Sequence, residues 1–231
     1  MIDPLADTPW SAPNTVSGFV HGAPNATLIQ FAGAELRHIR SGLIVDVGCG
    51  AGRNAVPLAQ QGWRVLGTDL SWAMLTAAAE RAQSAGVGGQ LSVALSPMTA
   101  LPVRDRSADL VIAHGIWNLA RSAGEFRDGV REASRIAKPA ATLFVFTFSR
   151  NTLPPDAMPV AGESFVYTQF SGEPQVFLTK SQLLDELASA GFVPDAAVPL
   201  TEHNRRPATA LPAASAGPVI YEGTFRFAGR P

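Results

Sequence analysis

The sequence predicts an α/β fold built on a mostly parallel sheet with helices on both faces. Three observations lead there. From Leu43 to Phe148, short apolar runs of strand length alternate with segments of helical periodicity. The runs are apolar throughout, as strands covered on both faces are. The first of them ends in a glycine turn, Gly48-Cys49-Gly50-Ala51-Gly52, where a helix begins.

Met1 to Ala26 is rich in Pro, Ser, Thr, Asn and Gly, and an irregular N-terminal arm holding Trp10, Phe19 and His21 is expected. From Ala26 to Ile39, Leu28, Ala32, Leu36 and Ile39 recur at helical spacing, with Asn25 as N-cap. Leu43-Ile44-Val45 opens the first strand. Asn54 to Gln61 suits a helix stopped by Gly62. Trp63 to Thr68 is a second strand, followed by a helix from Ser71, its cap, to Ala85. Leu91 to Leu95 and Ala108 to Ala113 are the third and fourth strands. Phe126, Val130, Ala133 and Ala137 mark the apolar face of the next helix, and Ala141 to Phe148 is a fifth strand.

The remainder is less regular. Asn151 to Glu173 contains Pro and Gly and is expected to form a lid or an inserted hairpin through Ser164 to Phe170. Thr179 to Ala190 is a helix, with Thr179 and Gln182 in capping-box spacing. Phe192 to Val198 and Val219 to Phe227 are strand candidates, and Thr201 to Pro218 a long loop. No repeat or linker interrupts the chain. One domain over 1–231 is expected, with 1–26 as its arm and 151–178 as a lid insertion.

Composition narrows the function. Of 231 residues, 46% are hydrophobic and 16% charged, which favours a folded chain over a disordered one. Lys and Arg number 18 against 19 Asp and Glu, so no basic footprint suggests a nucleic-acid partner. The single cysteine, Cys49, excludes an internal disulfide framework and a multi-cysteine metal site; no metal is expected, and a free thiol fits a cytoplasmic location. Met1 to Pro13 lacks the early Lys or Arg of a secretory signal. The longest apolar stretch, Ala140 to Phe148, is far short of the roughly 20 residues that span a bilayer, so no membrane partner is expected.

The glycine turn holds the chemistry. Glycines let the backbone turn sharply and approach a ligand closely. At the C-terminal end of a strand in a parallel sheet, such a turn lies in the usual ligand crevice. Its third glycine, Gly52, comes one position early for a dinucleotide fingerprint, and the fingerprint position holds bulky Arg53. The phosphate-cradling G-x-x-x-x-G-K-[ST] loop is absent. Asp69, after the second strand, is placed to accept from both hydroxyls of a ribose. Asp46 ends the first strand, which completes a three-part constellation.

Ile44-Val45-Asp46-Val47-Gly48-Cys49-Gly50-Ala51-Gly52-Arg53-Asn54, followed by Val65-Leu66-Gly67-Thr68-Asp69-Leu70-Ser71, resembles class I S-adenosylmethionine-dependent methyltransferases. The resemblance continues through Ala100-Leu101-Pro102-Val103, Ser107-Ala108-Asp109-Leu110-Val111 and Glu132 to Pro139. The Gly-Arg-Asn step and the segment from Phe177 to Leu184 are similar to small-molecule and tellurite-resistance-type members. The family implies a Rossmann-like seven-stranded sheet with an antiparallel last strand, S-adenosyl-L-methionine as cofactor and a small-molecule acceptor.

It also implies roles by position. Gly48, Gly50 and Gly52 would pass under the methionine moiety, with Asn54 beside them and Asp46 on the ammonium. Asp69 would hold the ribose and Leu70 the adenine. Pro97 stands where the family often has an acid, leaving Met98 to serve the ring. His114 is the candidate general base and a cofactor contact, and it titrates near neutrality when unperturbed. Trp117 and Asn118 would face the acceptor, Trp117 offering its ring to the sulfonium. Phe19 from the arm and Tyr167 from the insertion would join them. Alignment is the principal catalytic contribution, with a base required only if the acceptor must lose a proton. An RNA methyltransferase and a non-catalytic S-adenosylmethionine-binding subunit stand as alternatives. Cys49 reads as a small packed residue, and Glu202, His203, Arg205 and Arg206 as a charged loop end.

Overall fold

In the computed structural model, which describes residues 3–39, 41–205 and 217–229, two helices, α1 (Pro13–His21) and α2 (Ala26–Leu36), precede the sheet. The alternation follows as β1 (Leu43–Val47), α3 (Ala55–Gln60), β2 (Arg64–Asp69), α4 (Trp72–Ser84), β3 (Leu91–Leu95), β4 (Ala108–His114), α5 (Ala123–Ile136) and β5 (Ala137–Phe148). A small pair, β6 (Val166–Tyr167) and β7 (Gln175–Val176), comes next. Then come α6 (Lys180–Ser189), β8 (Phe192–Pro194), β9 (Thr201–His203) and β10 (Ile220–Phe227). The main sheet runs β3-β2-β1-β4-β5-β10-β8, with β9 also paired to β10. The first five strands are parallel, and β10 is antiparallel to β5, β8 and β9. The expected seven-strand path is present, and β9 adds an eighth strand.

Period-two alternation explains why the strands are apolar on both sides. Ile44, Leu110, Ile112 and Phe144 pack with Leu28 and Trp63 on the face covered by α2 and α3. Val45, Val111, Leu143 and Val145 turn the other way, toward Phe126 and Leu183. Each such side chain contributes about 1.5–3 kcal/mol when fully buried, so both helical layers are tied to one register. Three helix starts are capped as expected: Asn25 accepts from the Leu28 N–H, Ser71 from Met74, and Thr179 with Gln182 closes a capping box; α5 adds a cap the sequence reading did not name, Ser122 accepting from the Glu125 N–H.

Four expectations need correction. The arm is not irregular: Pro13 opens α1, a position where its missing N–H and fixed φ favour a helix. The arm is also tied down, with Ser11 Oγ 3.0 Å from Ser71 Oγ and the Trp72 N–H donating to Asp3. The fifth strand begins at Ala137, which pairs with Ala108. The insertion's hairpin joins β6 to β7 instead of folding within Ser164 to Phe170. Phe165, Val166, Val176 and Phe177 are buried, and Phe165 meets Phe126 edge-on at 5.5 Å, so much of this segment is core and not lid. The loop expected from Thr201 begins as β9, with Glu202 accepting from Asn151 and pairing with Arg205. Arg206 lies outside the described residues. Among the described residues no helix is long and apolar enough to cross a membrane.

Candidate active site

The C-terminal tips of β1, β2, β4 and β5 open on a cleft of about 600 Å³, bordered also by the arm and the insertion. Its polar rim comes from β1 and β2. Gly48, Gly50 and Gly52 have φ of +69°, +52° and +73°, a region that L side chains rarely enter. A Cβ at Gly48 would lie 2.7 Å from Ile116, and one at Gly50 2.9 Å from Phe19. Gly52 does a different job: a Cβ there would meet Ala78 at 3.1 Å, so it lets α4 pack closely and does not line the cleft.

Asp69 at the end of β2 organises this turn. One carboxylate oxygen accepts from the Gly50 N–H and the other from the Ser71 N–H, both at 2.9 Å. Burial raises its pKa, against the lowering effect of these N–H groups. Asp46 is buried beneath the turn, and its Oδ2 has no hydrogen-bond partner among the described residues. Burial, then the nearby Asp69 charge, push its pKa up to about 7, with Arg53 opposing. Cys49 is buried, its thiol pushed well up by burial, and its Sγ packs where a Gly67 side chain would begin.

The apolar rim comes from elsewhere. Phe146 and Phe148 at the end of β5, Phe170 from the insertion, Ile116 and Leu119 beyond β4, and Trp10 and Phe19 from the arm line it. His114, at the tip of β4, stacks on Phe146 with ring centroids 4.2 Å apart. Its Nε2 lies 3.2 Å from Asn25 Nδ2, and its Nδ1 3.4 Å from a guanidinium nitrogen of Arg53. Burial, then Arg53, hold its pKa down at about 4, so it does not titrate near neutrality as expected.

Of the site residues chosen from sequence, Gly48, Gly50, Asp69, His114, Phe19 and Asn118 line this cleft. Asn118 is buried there with an Oδ1 that has no partner among the described residues. Asn54 is set back, accepting from the Asn25 N–H, and half-buried Leu70 does not line the cleft. Trp117 is corrected outright. The 3-10 turn Trp117–Leu119 turns its indole into the core, edge-on to Phe126 at 5.9 Å. Met98 packs in the same core cluster, and Gly129 leaves room for both. Tyr167 is also buried, its hydroxyl accepting from Arg150. Sequence reasoning missed Arg53, Asn25, Phe146, Phe148 and Phe170 as cleft residues. The phenylalanine-dense end of β5 was the available signal for two of them.

Residues 44–140 match the family described as a methyltransferase domain. The chain is 31% identical over 124 residues to the ubiquinone/menaquinone biosynthesis C-methyltransferase UbiE of Geotalea uraniireducens, over 52% of this chain and 51% of that protein. It is 29% identical over 173 residues to the ubiquinone biosynthesis O-methyltransferase of Azorhizobium caulinodans, over 71% and 65% of the two chains. Its fold superposes on the 1,6-didemethyltoxoflavin-N1-methyltransferase of Burkholderia thailandensis with a TM-score of 0.63 at 20% identity, covering 88% and 79%. The stretch 44–140 is thus similar to a methyltransferase domain, and it holds the glycine turn, Asp46 and Asp69. The chain spans about half the length of the C-methyltransferase it matches.

Proposed function

We propose that the whole chain is one methyltransferase unit that moves a methyl group from S-adenosylmethionine to a small, largely apolar molecule. One observation supports this most. Two carboxyl groups, Asp46 and Asp69, flank a turn of positive-φ glycines that borders a cleft otherwise lined largely by aromatic side chains. The polar rim fits the cofactor: Asp46 offers an unpartnered buried oxygen to an ammonium, Asp69 carboxylate lone pairs to ribose hydroxyls, and the glycines a stretch of backbone without side chains. When bound, that cofactor supplies a methyl carbon already activated by its sulfonium.

The protein's own task is then positioning. Holding two reactants in line is worth several orders of magnitude in rate. The aromatic rim orients the acceptor and keeps water from the reacting atoms. The quinone-pathway and toxoflavin names of the similar proteins agree with a small ring-containing acceptor. Calorimetric titration with S-adenosylhomocysteine tests the reading. The wild type should bind it, and Gly50→Val, which fills the turn, should not. A wild type that ignores the ligand overturns the proposal.

A further inference from the structure

We propose that the methyl acceptor is an aromatic anion, its plane against Phe146 and Phe148 and its negative charge on the Arg53 guanidinium. This deepens the methyltransferase reading and rests on it.

Among the side chains that line the cleft, those able to take a proton are already engaged, and Asp46, which lies beneath the turn and outside that lining, is the partner of the cofactor's ammonium on the reading above. The Oδ1 of Asn25 accepts from the Leu28 N–H, so its Nδ2 faces outward and donates to Glu222 at 2.6 Å. The same Nδ2 lies 3.2 Å from His114 Nε2, which must therefore accept, and the ring proton resides on Nδ1. The imidazole lone pair is thus held by Asn25 and turned from the acceptor. A ring kept neutral down to about pH 4 is also a weak base. Each carboxylate oxygen of Asp69 accepts a backbone N–H, one from Gly50 in the glycine turn and one from Ser71 at the start of α4, and Glu222 stands behind Asn25. A neutral hydroxyl acceptor would find no base here, whereas an acceptor that arrives ionised needs none.

Arg53 is suited to such an anion. It lies beside the Phe19 ring, its carbon 5.9 Å from the centroid. No carboxylate lies within ion-pair distance of it among the described residues. With the ring proton on Nδ1, the guanidinium nitrogen 3.4 Å away has a neighbour but no acceptor there. A planar guanidinium with unfilled donors, beside flat apolar walls, matches a planar molecule bearing an oxyanion or carboxylate. Methyl transfer then balances without a proton. The anionic atom bonds to the methyl carbon, the methyl–sulfur bond breaks with its electron pair left on sulfur, and the acceptor leaves one negative charge poorer.

Calorimetry on protein saturated with S-adenosylhomocysteine tests this with two probes of equal shape, 2-naphthoate and 2-naphthamide. Naphthoate should bind about tenfold or more tighter than the amide. Arg53→Met should bring it to the amide's level, and Arg53→Lys should keep part of the difference. Melting curves confirm that both variants are folded. Equal binding of the probes, or binding of neither, overturns the proposal. So does a second outcome: Arg53→Met weakening S-adenosylhomocysteine while leaving 5′-methylthioadenosine, which lacks the amino-acid carboxylate, unchanged. That result assigns the guanidinium to the cofactor. Failure of the wild type to bind S-adenosylhomocysteine is a different failure, of the methyltransferase reading itself, and the proposal falls with it.

Discussion

The polar and aromatic rims of the cleft are built in opposite ways. The polar rim is one stretch of chain from Asp46 to Asp69, two neighbouring parallel strands and the turn between them. The aromatic rim gathers Trp10 and Phe19 from the arm, Phe146 and Phe148 from β5 and Phe170 from the insertion. The first is fixed by backbone: positive φ, strand register and N–H groups aimed at Asp69. The second is fixed by packing of elements far apart in sequence, and it can change its side chains without disturbing the turn. One scaffold can therefore keep its cofactor while its acceptor varies.

The sharpest way to break that division is Trp117→Ala. As a core residue, Trp117 should cost about 3–5 kcal/mol in stability when truncated, read from denaturant midpoints. Affinity for S-adenosylhomocysteine should be kept in the folded fraction. Intact stability with lost affinity would return Trp117 to the cleft.

Asp46 sharpens the polar side. Its folded pKa, about 7, lies above the ordinary carboxyl value of 3.8, so the folded state binds the proton more tightly. Stability should therefore fall as pH rises from about 4 through 7, by up to roughly 4 kcal/mol, and Asp46→Asn should flatten the slope. Affinity for S-adenosylhomocysteine should rise through the upper part of that window, because an ammonium needs the ionised carboxylate. Urea midpoints and calorimetry across this range check both signs.

Asp69→Ala comes next, with affinity for S-adenosylhomocysteine reduced about tenfold or more. An unchanged dissociation constant in a folded variant would remove Asp69 from the site. The smallest effect belongs to His114. Its pKa is depressed, so it contributes stability at neutral pH that is lost as pH falls from about 6.5 through 4. At saturating S-adenosylmethionine, where the Asp46 titration no longer limits binding, the wild-type pH–rate profile should show no limb near 6.5. A limb there that disappears in His114→Gln would restore the base.

The same division decided what could be read in advance. Gly48, Gly50 and Asp69 were legible because a strand, a turn and a strand are local signals. Asn25 was legible as a helix cap but not as the hub joining His114, Glu222 and Asn54, since its partners lie on three other segments. Trp117 was misplaced because position after β4 says which end of the sheet a residue occupies, not where a 3-10 turn points it. In the same turn Asn118 and Leu119 face the cleft while the indole enters the core. Tyr167 and Phe170 were likewise not separable by spacing: β6 turns the tyrosine inward, and the loop after it carries the phenylalanine out.

Asn25 and Glu222 stand at opposite ends of the described chain and meet at 2.6 Å, and Glu35 holds Arg226 a short way along the same two elements. Bringing such distant segments together demands closing a loop across 197 positions, a slow step that local contacts cannot reward beforehand. The nascent chain can thus lay down the glycine turn and the parallel strands early, while Asn25 lacks its Glu222 partner until β10 has been made and paired with β5. The residues that line the cleft all lie at or before Gln175, so a ribosome stalled before residue 220 would carry the walls of the pocket without the Glu222 brace behind Asn25.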